Sequence, residues 1–165
     1  MKARTTALAL ASVLALSACS GTTSAQTAAV VDGRVITEQQ VRVAAEQINK
    51  AFKPQQAITA DQVLTLLIRA PYINKAAAKA GKPQSESAAR AAFKDFPGTP
   101  TPETVEILQA EASLQQIDDA GRQALTKEFA ALDMTINPRY GTFDPAQAAV
   151  VADEPNWLVP AASAK

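Results

Sequence analysis

Histidine is absent from this chain, and that absence excludes more chemistry than any motif supplies. A Ser-His-Asp or Cys-His centre needs an imidazole that titrates near working pH. Zinc sites are built from clusters of His and Cys, and there is a single cysteine; the sequence therefore offers no metal site and points to no cofactor. Sixteen basic residues cancel sixteen acidic ones, which leaves no basic stripe for nucleic acid. Aromatic residues make up only 5% of the chain and alanine is plentiful, a balance that favours helix over a β-sandwich. What is present is 165 residues, 47% of them hydrophobic, enough for one cored domain with additional segments.

The lone cysteine closes the N-terminal stretch MKARTTALALASVLALSAC. Lys2 and Arg4 give it a basic start, and Ala7 to Leu16 form an apolar run of ten residues, too short to span a bilayer. Leu16-Ser17-Ala18-Cys19 resembles the bacterial lipobox, a leucine and two small residues before a cysteine. That likeness implies diacylglyceryl transfer to the Cys19 thiol and cleavage before it. The alternative is an ordinary secretory signal cleaved a few residues later, with Cys19 incidental. Residues 1–18 are thus read as a lipoprotein signal peptide, and residues 19–28 as the lipidated cysteine followed by a small polar tether. The expected location is the extracytoplasmic face of a cell membrane, held there by lipid on Cys19. Without Lys2 and Arg4, fourteen basic residues face sixteen acidic ones, so charge adds nothing to the attraction for anionic lipid.

Hydrophobic patterning organises the rest. AVVDGRVI, Ala29 to Ile36, places two β-branched pairs around Asp32-Gly33, which predicts a strand and tight turn. Thr37 to Gln40 reads as a capping box, and Val41, Ala45, Ile48 and Phe52 recur behind it at helical spacing, up to Pro54. A second cap at Thr59 opens a longer, more apolar helix, expected to be the central one and to kink or break at Pro71. A third helix is expected over Ser85 to Phe96, and a fourth from Pro102 to about Leu132, with a core stripe running from Ile107 to Leu132. Met134 to Ile136 alternates as a short strand, the natural partner for Val30-Val31. The expected fold is therefore mostly α: about four helices over residues 29–145, with a short two-stranded antiparallel pairing of the two ends. An alanine- and proline-rich tail over residues 146–165 follows.

The order of these parts is familiar. AVVDGRVITEQQV, LIRAPYINKAAAKAG and INPRYGTFDP resemble, in sequence, the opening, the buried helix and the closing strand of the SurA N-terminal domain family, the chaperone module of exported prolyl isomerases. The likeness covers roughly residues 29–145. It implies a helical domain that binds unfolded or exported polypeptide clients. The parvulin-type isomerase domain of the full-length relatives, with its histidines, has no counterpart here, so no isomerase activity and no enzyme is expected.

Two binding roles follow. The first is a lipid-anchored chaperone-like protein; the second is an envelope lipoprotein of structural or scaffolding role that binds one specific partner. Carboxylate pairs such as Asp118-Asp119 and Asp153-Glu154 are adjacent in sequence, and neighbouring positions on a helix do not face each other, so they read as solvated surface. Candidate client contacts are Tyr72, Phe93, Phe96 and Tyr140, each with ordinary core packing as the plainer role. INPRYGTFDP, carrying Arg139, Tyr140 and Phe143, is read first as a lock on the fold and second as a client-binding edge.

Overall fold

The computed structural model describes residues 26–153. The expected signal peptide, Cys19, most of the expected tether, and residues 154–165 with Trp157 lie outside the described residues. The elements run β1 Thr27–Val31, β2 Arg34–Thr37, α1 Glu38–Phe52, α2 Ala60–Lys79, α3 Glu86–Ala91, α4 Pro102–Leu114, α5 Asp119–Ala130 and β3 Met134–Ile136. A 3-10 turn at Pro138–Tyr140 leads to β4 Thr142–Asp144 and β5 Ala149–Val151. The protein is mostly helical, with five helices among the described residues. Its strands form two small antiparallel sheets, β2-β1-β3 and β4-β5.

Asp32 and Gly33 both adopt positive φ, 47° and 79°, which is the backbone a two-residue hairpin turn requires. On its other side β1 pairs with β3, Val30 opposite Thr135 and Val31 opposite Met134. The two ends of the domain are thereby joined. Thr27 and Ala28 belong to β1 and are buried, so the tether stops short of its expected end at residue 28.

α1 starts as the sequence predicts: the Gln40 amide oxygen accepts from the Thr37 N–H (2.8 Å) and the Thr37 hydroxyl oxygen accepts from the Gln40 N–H (3.2 Å). α2 is the central helix, burying Val63, Leu64, Leu67, Ile68, Ile73 and Ala77, and its largest contact is with α4. Pro71 does not break it. Proline cannot donate to the carbonyl four residues back, but the Arg34 guanidinium donates to that Leu67 carbonyl instead (2.6 Å). The helix ends in a Schellman turn: Gly81 at φ 71°, with the Lys82 N–H on the Ala77 carbonyl (2.9 Å) and the Gly81 N–H on the Ala78 carbonyl (3.1 Å).

Three further expectations need correction. The long fourth helix is two, α4 and α5, because Asp118 acts as an N-cap and its carboxylate accepts from the Gly121 N–H (2.8 Å). Arg122 closes the corner, donating to the carbonyls of Leu114 (2.6 Å) and Ile117 (3.1 Å). The third helix covers only Glu86–Ala91; beyond it the N–H groups of Ala92, Phe93, Lys94 and Phe96 bond three residues back, a tighter winding. Finally, residues 146–151 are not tail. They turn back into β5, whose Val150 is buried and donates its N–H to the Thr65 hydroxyl on α2 (2.8 Å).

Candidate functional site

INPRYGTFDP joins the sheet to the start of α1. Asn137 continues the β1 ladder by one rung, its N–H donating to the Ala28 carbonyl (2.9 Å), and its amide donates to the Thr27 carbonyl (3.0 Å). Pro138 then starts the 3-10 turn. Nη1 of Arg139 lies 2.8 Å from both carboxylate oxygens of Glu38, the first residue of α1. That hydrogen bond raises the Arg139 pKa. The Tyr140 ring lies beneath the guanidinium, 5.5 Å from it, and is only 9% exposed. Burial, then the Glu38 charge, raises its pKa. Gly141 sits at φ 101°, and a Cβ there would collide with the Val151 carbonyl.

An open groove of about 590 Å³ runs beside this joint, between Arg139, Tyr140 and the α1 residues Val41, Arg42 and Ala45. A second, of about 740 Å³, is walled by Ile48, Phe52, Ile58, Thr59 and Gln62. Their lining residues follow one another along α1, Glu38 to Ala45 in the first and Ile48 and Phe52 in the second, and the adjacent residues Thr59 and Ala60 line the second and the first. From Val41 to Phe52 this flank is about 17 Å long at 1.5 Å per residue. Asn49 shapes the far wall: its side chain donates to the Ile58 carbonyl (3.1 Å) and accepts the Ile58 N–H (2.8 Å). Phe52, 45% exposed, leans edge-on against Phe93 (5.3 Å), which in turn meets Phe96 (5.8 Å).

The charges of the flank are largely spoken for. Glu38 is taken by Arg139 and Glu46 by Lys50; Arg42, exposed and one turn from each, forms no side-chain hydrogen bond or close ion pair among the described residues, and after Lys50 its charge also helps lower the Glu46 pKa. The six expected contact residues thus fall in four places. Arg139 and Tyr140 border the first groove, and Phe93 and Phe96 support Phe52 in the second. Phe143 lines a separate slot with Phe129 and Met134. Tyr72 donates its hydroxyl to Asp32 (2.8 Å) and meets Phe129 edge-on (6.2 Å). Its pKa is pushed up to about 12 by desolvation and by that carboxylate.

Sequence reasoning missed Phe52 and Ile58 as groove walls. The available signal was position: Phe52 is the last apolar residue of its stripe, next to Lys53-Pro54, so no further turn covers it. Asp118 and Asp119 do not converge; the first is a cap and the second begins α5. Among the described residues there is no cluster of potential metal ligands. Comparison with known proteins finds no matching family, no matching curated protein and no matching solved structure.

Proposed function

We propose that this chain is a lipid-anchored, extracytoplasmic chaperone-like protein of the SurA N-terminal type that holds unfolded segments of exported polypeptides, without isomerase activity. The observation that carries the reading is the flank of α1: two open grooves end to end, the first with Ala45 among the polar Gln39 and Arg42, the second apolar, walled by Ile48, Ile58 and the exposed Phe52. An open groove of that length accommodates several residues of extended chain, and its apolar surface attracts side chains that a folded client would bury. Arg42, which borders the first groove and forms no close ion pair among the described residues, favours segments carrying an acidic residue. Gln26 lines the first groove, seven residues after Cys19. Even a fully extended link keeps the groove within about 25 Å of an anchored cysteine, where newly exported chain emerges.

Aggregation assays with two unrelated unfolding proteins test the role. The intact protein should suppress aggregation of both, and Phe52→Asp should weaken suppression several-fold without lowering the melting temperature by more than a few degrees. Inactivity towards both, together with crosslinking to one envelope protein in the native membrane, would replace this reading with the single-partner scaffold. Anchoring has its own test: Cys19→Ser should move the protein from the membrane to the soluble fraction, and mass spectrometry of a mature wild-type N-terminus without lipid would refute it.

A further inference from the structure

The outer strands of the two small sheets flank one uncharged slot, and their registers show what they offer to it. Between β1 and β3, the Asn137 N–H donates to the Ala28 carbonyl (2.9 Å) and the Asp32 N–H to the Asp133 carbonyl (2.8 Å). Antiparallel ladders alternate. With Val30 opposite Thr135, Thr135 exchanges bonds with β1, whereas Met134 and Ile136 direct N–H and C=O to the other side. Among the described residues no strand lies there, because β3 is the outer strand of its sheet. In the second sheet Phe143 stands opposite Val150, whose N–H goes to the Thr65 hydroxyl and not to β4. By the same alternation Phe143 directs its N–H and C=O away from β5. Both edges line a slot of about 270 Å³ together with Phe129, Leu132 and Thr142, and none of its lining residues is charged.

We propose that this slot accepts an extended, uncharged polypeptide segment as an added strand between β3 and β4. Main-chain donors and acceptors on two edges that border the same slot are matched by another extended backbone, which can supply a complementary row to each. The side chains of Met134, Ile136 and Phe143 select apolar residues in that strand. The outer strand at the opposite end of the larger sheet, β2, is blunted in the usual ways: the Gln40 side chain holds its last N–H, at Thr37 (2.8 Å), and Arg34, Glu103 and Glu106 border its exposed Val35. No such protection covers β3. The inference shares with the proposed function only its ligand class, unfolded polypeptide, and concerns a site separate from the α1 grooves.

The full lipidated chain in detergent micelles, probed with an end-blocked heptapeptide of alternating Val and Thr, provides the test. Hydrogen exchange should slow at the amides of Met134, Ile136 and Phe143. The same peptide N-methylated on every second amide should bind at least about tenfold more weakly, since each backbone bond removed weakens the complex. Met134→Lys should abolish the protection, and Phe52→Asp in the α1 groove should leave it intact. Equal binding of the two peptides, or protection confined to the α1 flank, would overturn the proposal. Protection without peptide that vanishes on deleting residues 154–165, or that rises with protein concentration, would also overturn it, by assigning the slot to the chain's own C-terminal segment or to a second copy. Slot protection in a protein that fails to suppress aggregation would leave this inference standing and remove the chaperone role.

Discussion

Tyr140 is buried against the core from a ten-residue motif that also holds Arg139 on Glu38. Truncating an aromatic in such a place leaves a cavity that the neighbouring β-hairpin cannot fill without moving. Tyr140→Ala should destabilise the protein by about 3 kcal/mol, a drop of roughly 10 °C in melting temperature, measured by thermal unfolding. Arg34 offers a sharper test, because its role depends on another residue. Removing the guanidinium strands the Leu67 carbonyl, buried beside Pro71, and Arg34→Ala should cost about 1–3 kcal/mol. In a Pro71→Ala background the helix regains the N–H that bonds Leu67, and most of that loss should disappear. Equal losses in both backgrounds would show that Arg34 acts elsewhere, for instance through its attraction to Glu106.

Elements show where local signals sufficed. Caps at Thr37 and Thr59 were legible because each is written within four residues, and so was the Asp32-Gly33 turn. The break between α4 and α5 was not. Asp118 lies within an uninterrupted apolar stripe, and whether an aspartate caps a new helix or sits on the side of a long one depends on the packing of both halves against α2. Asp118→Ala should therefore lower stability by about 1 kcal/mol in denaturant unfolding. The β4–β5 hairpin was equally hidden, since AQAAVVADEP has no turn glycine. Its seat on α2 comes from Thr65, a polar residue in an apolar helix. Thr65→Val deprives Val150 of its acceptor and should cost about 1–2 kcal/mol, with amide exchange at Val150 speeding up before that of the α2 core.

For the whole molecule, both tyrosines of the sequence, Tyr72 and Tyr140, have raised pKa values, to about 12 for Tyr72. The unfolded phenols would lose protons near their usual value of 10.0. Between that pH and the folded values the native state binds more protons than the unfolded one, so stability falls as pH rises. It should be level with respect to these groups below pH 10 and decline towards pH 12, with phenolate absorbance appearing late in the native protein and near pH 10 in denaturant. Phenolate absorbance at pH 10 in the folded protein would contradict the burial of Tyr140 and the Tyr72–Asp32 hydrogen bond together.

Composition and short-range pattern alone determined that the protein is mostly helical, which helix is central, where α1 and α2 are capped and that β3 returns to β1. Each of those is set by residues within a turn or two, or by the requirement that a lone strand find a partner. Tertiary structure alone decided that Arg34 bridges the proline in α2, that Phe52 and Ile58 face each other across a groove, and that β3 and β4 turn unpaired edges to the same slot. These depend on residues brought together from far apart in the chain, Leu67 to Arg34 and Val150 to Thr65, and separation in sequence carries no record of which carbonyl will lack a donor or which edge will lack a strand. Aromatic residues illustrate the division: their positions were visible from the start, but their sorting into a joint, two grooves and a slot follows from the directions in which five helices and two sheets point them.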